Sequence, residues 1–202
     1  MNPTPDQIDV LKELINIGVG RAAGMLNDML QSRVQLQVPY VKIFSPLTLQ
    51  EEMGELGSEK LSTVRLSFKG PFSGIASLVF PPDSAGKLVD ILTGEEPVTP
   101  DLDSIRIGTL TEVGNIILNG VMGSIGNVLE KHINYSVPTY MENNIESLLL
   151  TDGLDANTTI LLAHTRFTIE QLQIEGDIIL LFEVGSFDAL LAAIDGININ
   201  EV

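Results

Sequence analysis

A glutamate and an asparagine three residues apart occur twice in this sequence, as Glu13 with Asn16 and as Glu112 with Asn115. On a helix, residues at this spacing are neighbours on one face, so each pair forms a small polar site. The glutamate supplies a carboxylate that can pair with a cation, and the asparagine supplies a neutral amide that both donates and accepts hydrogen bonds. The chain therefore carries two similar candidate sites.

Both copies extend to a proline at the same distance, because 22 residues separate each asparagine from Pro39 or Pro138. Glutamate, asparagine and proline are all repeated at an offset of 99 residues. This duplication predicts one domain, residues 1–202, that consists of two repeats of about 1–98 and 99–202. Two independent domains of about 100 residues are the alternative.

Apolar periodicity predicts a long helix around each polar pair. The first helix is expected to begin at Thr4–Gln7, where Thr, Pro and Gln can form a capping box. The second begins after Thr99 and Pro100. The predicted core-facing residues are Ile8, Leu11, Ile15, Ala22, Leu26 and Met29 in the first helix, and Ile107, Leu110, Ile117, Leu118, Val121, Ile125 and Leu129 in the second. The opposite faces carry Asp9, Glu13, Asn16 and Gly20, and Glu112, Asn115 and Asn119.

Alternating or short apolar segments follow each long helix and predict strands. Short helices at 83–92 and 186–194 then complete both halves. Consecutive strands favour antiparallel hairpins, so the predicted fold class is α/β of the α+β kind, with the long helices packed on a largely antiparallel sheet. The predicted strands are 34–44, 62–70, 72–80, 133–141, 157–167 and 172–184.

Composition narrows the function classes. The net charge of −16, from 11 basic and 27 acidic residues, disfavours nucleic acid as a partner. An acidic surface favours binding to a protein partner with exposed Lys or Arg, or it serves solubility alone. With no Cys and only two His, thiol catalysis, disulfides and Cys zinc sites are excluded. No signal sequence or spanning apolar run is recognised, so we expect a cytoplasmic protein without membrane insertion.

Non-functional explanations exist for the polar stripe and for other features of the sequence. One helix with polar residues on one side is usually only solvated, but the repeated Glu and Asn argue against this. The many helical glycines predict either close approach by another surface or tight internal packing. The segment NIGVGRAAG lacks a preceding strand and a following Gly-Lys-Ser/Thr, so it is not a nucleotide loop. His132 and His164 lie outside the repeat and are expected to be structural.

The motifs resemble the CheC family of chemotaxis phosphatases, whose relatives include CheX and FliY. The family pattern is Asp or Ser, three residues, Glu, two residues, Asn, 22 residues, Pro. Gly108 departs from it by replacing the first residue of the second copy. The matching residues are Asp9, Glu13, Asn16 and Pro39 in the first copy and Glu112, Asn115 and Pro138 in the second. The resemblance implies two long helices side by side on a six-stranded sheet.

The resemblance also implies an activity, namely hydrolysis of the aspartyl phosphate of a CheY-type response regulator. Asn16 and Asn115 would enter the partner's active site and position the attacking water, while Glu13 and Glu112 would pair with a partner Lys. Asp9 would assist docking. The prolines would shape the first strand of each repeat.

The family implies further binding partners. Magnesium would belong to the response regulator, with no cofactor held by this chain, and CheD is a further partner that the family implies. The alternative function is a non-catalytic response-regulator-binding module or flagellar-switch adaptor of the same fold.

Overall fold

Two long helices carry the repeated polar pairs. The computed structural model describes residues 3–30, 33–45, 48, 60–94, 102–144, 158–169 and 172–196. Helix α1 spans Pro5–Leu30. Its predicted capping box is confirmed, because Gln7 N donates to Thr4 Oγ1 at 3.2 Å and Thr4 N donates to Gln7 Oε1 at 2.9 Å. The predicted cap of the second long helix, Thr99 and Pro100, lies outside the described residues.

Four helices and seven strands form within the described residues. The other helices are α2 (Pro82–Thr93), α3 (Leu102–Val128) and α4 (Ser186–Asp195). The strands are β1 (Val34–Phe44), β2 (Leu61–Lys69), β3 (Gly74–Phe80), β4 (Asn134–Tyr135), β5 (Thr139–Asn143), β6 (Thr159–Ile169) and β7 (Leu172–Phe182).

The strands form one sheet in the order β1-β6-β7-β3-β2-β4, and β5 also pairs with β2. Every strand pairing is antiparallel, which confirms the predicted fold class. The sheet has seven strands rather than six because the predicted strand at 133–141 is interrupted and forms both β4 and β5. Strands from early and late in the chain are interleaved in this sheet, since β1 pairs with β6, β3 with β7, and β2 with both β4 and β5. The boundary near residue 98 lies outside the described residues, and the division into two repeats stays a prediction.

All four helices contribute buried residues to the main core on one face of the sheet. A smaller cluster, which includes Ile160, Leu162 and Ile179, lies on the opposite face. The predicted apolar stripes were wrong at two ends, since Met29 is 46% exposed and Ile107 is 42% exposed. Both lie beyond the last buried stripe residues, Leu26 and Leu110, so the apolar periodicity continues past the surface that supports it.

The two long helices meet at a glycine contact. A Cβ atom on Gly18 would lie 2.4 Å from Val121 Cα, and one on Gly120 would lie 2.9 Å from the Gly18 carbonyl oxygen. Such distances are shorter than van der Waals contact, so only glycine permits this approach of the backbones. In contrast, a Cβ atom on Gly20 would meet nothing within 4 Å.

We expect Gly18→Ala to lower the free energy of unfolding by about 1–3 kcal/mol, because the backbone of α3 would have to move away. The matched control is Gly20→Ala, which should raise it by roughly 0.5–1 kcal/mol through the loss of helical glycine. Urea unfolding of both variants measures the difference. Equal stability of the two variants would contradict the close helix contact.

Candidate functional site

The predicted site residues lie on the outer sides of α1 and α3. Glu13 and Glu112 are exposed, whereas Asn16 and Asn115 are half-buried. No described residue forms a salt bridge or hydrogen bond with either glutamate carboxylate. The predicted polar faces therefore combine a glutamate that is open to a partner with an asparagine that also contacts its own protein.

Asn16 is held by the first strand. Its Oδ1 accepts a hydrogen bond from Val38 N at 3.3 Å. The β1–β6 register shifts at this position, because Gln37 pairs with Arg166 and Tyr40 pairs with His164. Two residues of β1 thus face one residue of β6, which defines a β-bulge. The bulge leaves the Val38 N–H outside the regular ladder, where Asn16 satisfies it.

This contact gives the spacing between Asn16 and Pro39 a physical basis. The partner of the asparagine is Val38, the residue directly before the proline. Proline has no N–H to donate to a ladder, and bulges on edge strands tolerate it. Among the described strands, β1 lies at the edge of the sheet, so a proline there does not interrupt a second pairing. Sequence reasoning missed Val38, although its position before the motif proline was a usable signal.

The second copy resembles the first in spacing but not in contacts. Phe68 pairs with Tyr135 and Arg65 pairs with Thr139. The three residues 136–138, from the end of β4 to the start of β5, therefore lie opposite two residues of β2. This is again an excess of one residue. However, Val137, which corresponds to Val38 at the 99-residue offset, is 83% exposed, whereas Val38 is 4% exposed.

Asn115 finds a different internal partner. Its Oδ1 accepts a hydrogen bond from Asn119 Nδ2 at 2.6 Å, one helical turn further along α3. At the 99-residue offset, the first copy has Gly20 in place of Asn119. Both motif asparagines therefore use Oδ1 for an internal hydrogen bond, but the donor is a backbone N–H in one copy and a side-chain amide in the other.

The two glutamates face different surroundings. Glu13 borders a cavity of about 380 Å³ whose walls are largely apolar, including Val10, Leu14, Ile17, Val128 and Ile194. Glu112 borders an open groove of about 720 Å³. The groove is lined by Arg21, Gly24, Met25, Asp28, Asn115, Ile116, Asn119, Gly120, Gly123 and Asn127.

The residues that line these two spaces also give the direction of the helices. Glu13 lies beside Val128 at the end of α3, whereas Glu112 and Asn115 lie beside residues 21–28 near the end of α1. The helices therefore run in opposite directions. The two candidate sites lie towards opposite ends of the helix pair.

The helical glycines divide between both predicted roles. Gly18, Gly114 and Gly120 pack so closely against other elements that a Cβ atom would overlap. Gly20, Gly24 and Gly123 have nothing within 4 Å of an added Cβ atom. The first group holds the helices in place, and in the second group Gly24 and Gly123 leave the backbone beside the groove open to approach.

His164 lies away from the polar pairs and has structural contacts. It follows Leu162 by two residues in β6 and so belongs to the sheet face opposite the main core. Its Nδ1 lies 2.8 Å from Asp177 Oδ1, and its ring stacks on Tyr40 with 5.2 Å between centroids. Burial raises the pKa of Asp177 above its usual value, while the hydrogen bond with His164 opposes that shift.

Two kinds of feature are absent from the residues that the structure describes. No helix there is long and apolar enough to cross a membrane. No group of three or more His, Cys, Asp or Glu residues there is arranged to hold a metal ion.

Known proteins that are similar to this chain carry the family names that its motifs suggested. No protein-family model matches the chain. Over 141 residues it is 26% identical to the CheY-P phosphatase CheC of Bacillus subtilis, a match that covers 66% of this chain and 65% of CheC. Over 132 residues it is 24% identical to the flagellar motor switch phosphatase FliY of the same organism, covering 64% of this chain and 34% of FliY. The matches thus span about two thirds and one third of these relatives.

Solved structures share the fold. FliY of Thermotoga maritima matches with a TM-score of 0.76 at 21% identity, over 96% of this chain and 97% of that one. The FliM middle domain of H. pylori matches with a TM-score of 0.62 at 16% identity, over 94% and 99%. CheX, in a complex with CheY, BeF3 and magnesium from Borrelia burgdorferi, matches with a TM-score of 0.54 at 20% identity, over 85% and 99%.

The chain is thus similar in sequence to CheC and FliY, and it shares its fold with solved structures of FliY, FliM and CheX. The two curated relatives agree with the resemblance to the CheC/FliY type, and the Thermotoga FliY structure has the same fold. The resemblance predicted from the repeated motifs is thereby confirmed.

The different partners of the two asparagines predict different effects on stability. Asn16→Ala leaves the part-buried Val38 N–H without its acceptor, and we expect the free energy of unfolding to fall by about 0.5–2 kcal/mol. Asn115→Ala leaves only the Asn119 side-chain amide without its acceptor, and this amide can turn to water instead. Alanine also has a higher helix propensity than asparagine. It should change stability by less than about 0.5 kcal/mol. Urea unfolding of the two variants tests this, and a larger loss for Asn115→Ala would contradict it.

Proposed function

We propose that this protein hydrolyses the aspartyl phosphate of a CheY-type response regulator. The observation that carries the proposal is the repeated helix-surface pair, in which an exposed glutamate accompanies an asparagine whose amide is already oriented by an internal hydrogen bond. Similarity to the CheY-P phosphatase CheC and to the flagellar motor switch phosphatase FliY supports the same activity.

In the proposed reaction, water attacks phosphorus and the bond from phosphorus to the aspartyl oxygen breaks. The products are the aspartate carboxylate of the regulator and inorganic phosphate. Asn16 and Asn115 would position the water in line with that bond. With Oδ1 engaged internally, Nδ2 remains to donate outwards, and the second lone pair of Oδ1 can accept from water. A neutral amide also avoids placing another negative charge beside the phosphoryl group.

The glutamates would set the depth and angle of docking. Glu13 and Glu112 are exposed and could each pair with a lysine of the regulator. Asp9 is exposed one turn before Glu13 and would assist in the first site, whereas Gly108 offers no such group in the second. Pro39 and Pro138 would act indirectly, by shaping the strands beneath the helices.

Magnesium would be held by the response regulator, where it would neutralise charge on the phosphoryl group. A solved complex of CheX, which has the same fold, contains CheY, BeF3 and magnesium together. The net charge of −16 supports a protein partner with basic groups rather than nucleic acid. CheD remains a further partner that we propose from family resemblance alone.

Binding without turnover is the second candidate function. It is favoured by the match to the FliM middle domain and by a FliG–FliM complex of H. pylori that shares the fold, with a TM-score of 0.65 at 15% identity. A fold used in such an assembly does not by itself assign hydrolysis. Capture of a response regulator without faster loss of its phosphate would favour this function.

We expect Asn16→Ala with Asn115→Ala to reduce stimulated dephosphorylation by about a hundredfold or more, because both water-positioning groups are lost. Each single variant should cost only about twofold if the sites are equal and independent. Time courses of phosphate release from purified phosphorylated response regulators measure this. Undiminished release with a folded double variant would disprove the mechanism.

Neutralising the glutamates should weaken docking more than chemistry. We expect Glu13→Gln with Glu112→Gln to raise KM for the phosphorylated regulator by roughly five- to thirtyfold, from about 1–2 kcal/mol of lost charge-assisted pairing, with kcat nearly unchanged. Glu183→Gln with Glu130→Gln removes the same charge at exposed positions outside both polar pairs. This control should leave KM unchanged, and an equal rise in KM would indicate a general charge effect.

A further inference from the structure

Asn119 contacts Asn115 in the second site but does not occupy a position of the repeated motif. Its Nδ2 donates to Asn115 Oδ1 at 2.6 Å, and both side chains are half-buried at the wall of the groove that Glu112 also borders. Residues four apart on a helix lie one above the other, so this contact follows directly from the helix geometry. Asn119 is therefore placed to orient the amide that faces the groove.

The need for such a group follows from what the second copy lacks. In the first copy, the strand supplies the Val38 N–H that orients Asn16. In the second, Asn119 supplies the donor in its place, and the corresponding Val137 is 83% exposed. The first copy has Gly20 where the second has Asn119, so each copy has one donor for its motif asparagine, from a different source.

We propose that Asn119 is a positioning residue of the second site, where it replaces the strand N–H that orients the asparagine of the first. The terminal torsion of an asparagine has a broad preference, so an amide without this contact would sample both orientations. The contact keeps Oδ1 of Asn115 towards Asn119 and leaves Nδ2 directed away from it. This inference rests on the proposed phosphatase function and assigns a different support to each of its two sites.

The two sites can be tested separately by removing one motif asparagine at a time. With Asn16→Ala as background, only the second site remains, and we expect Asn119→Ala to lower kcat by about three- to tenfold. KM should change by less than about twofold, because Asn119 acts on orientation rather than docking. With Asn115→Ala as background, only the first site remains, and Asn119→Ala should change neither constant. The probe is a purified CheY-type response regulator phosphorylated with phosphoramidate.

Two further substitutions separate orientation from packing. Asn119→Asp keeps the size of the side chain but removes the donor, so it should lose activity at least as strongly as Asn119→Ala in the Asn16→Ala background. Asn119→Gln keeps an amide donor one turn from Asn115 and should retain more activity than either. Thermal unfolding of all variants, together with full first-site activity in the Asn115→Ala background, excludes misfolding.

The outcomes distinguish this inference from the function on which it rests. If the Asn16→Ala and Asn115→Ala double variant is inactive but Asn119→Ala has no effect in the Asn16→Ala background, only the role of Asn119 is overturned. Equal losses in both backgrounds would also overturn it, because they would indicate a general structural effect. If the double asparagine variant keeps the activity of the unmodified protein, the proposed function and this inference fail together.

Discussion

The close contact between the backbones of α1 and α3 determines how the two polar pairs are presented. At Gly18 and Gly120 neither helix has a side chain that would separate the backbones, and even one methyl group would overlap Val121. The apolar sides of both helices can then share one core over the same sheet face. Because the helices run in opposite directions, the Glu13 pair and the Glu112 pair lie towards opposite ends of the surface that the helices form together.

The sheet beneath the helices contributes to the site itself as well as to its support. A one-residue bulge in β1 releases a backbone N–H at Val38, and Asn16 becomes its acceptor. The side chain proposed to act on water thus also satisfies a part-buried group of its own protein. In the second copy, the strand is interrupted around Pro138 and this link is replaced by Asn119. A duplicated sequence pattern has therefore produced two sites that differ in what holds them.

The division of charge within each pair suits the proposed chemistry. An anionic phosphoryl group repels carboxylates, and this protein has 27 acidic residues. The glutamate lies one helical turn from the asparagine, where it can attract a basic side chain of the partner without being the group nearest to phosphorus. The neutral amide takes the position where charge would be harmful. In the proposed reaction, docking and water positioning thus fall to neighbouring residues of different charge.

Local pattern was sufficient for much of this protein. The first helix cap, the α+β class, five of the six predicted strands and the polar stripes with both Glu–Asn pairs follow from periodicity and residue type, which act over a few residues. The exposure of Met29 and Ile107, the separate strands β4 and β5, and the donors to Asn16 and Asn115 depended on tertiary structure. Periodicity gives the direction in which a side chain points along a helix but not whether a surface lies there to cover it. Likewise, the spacing of 22 residues marks Asn16 and Pro39 as related, but only the folded strand brings the Val38 N–H to the amide.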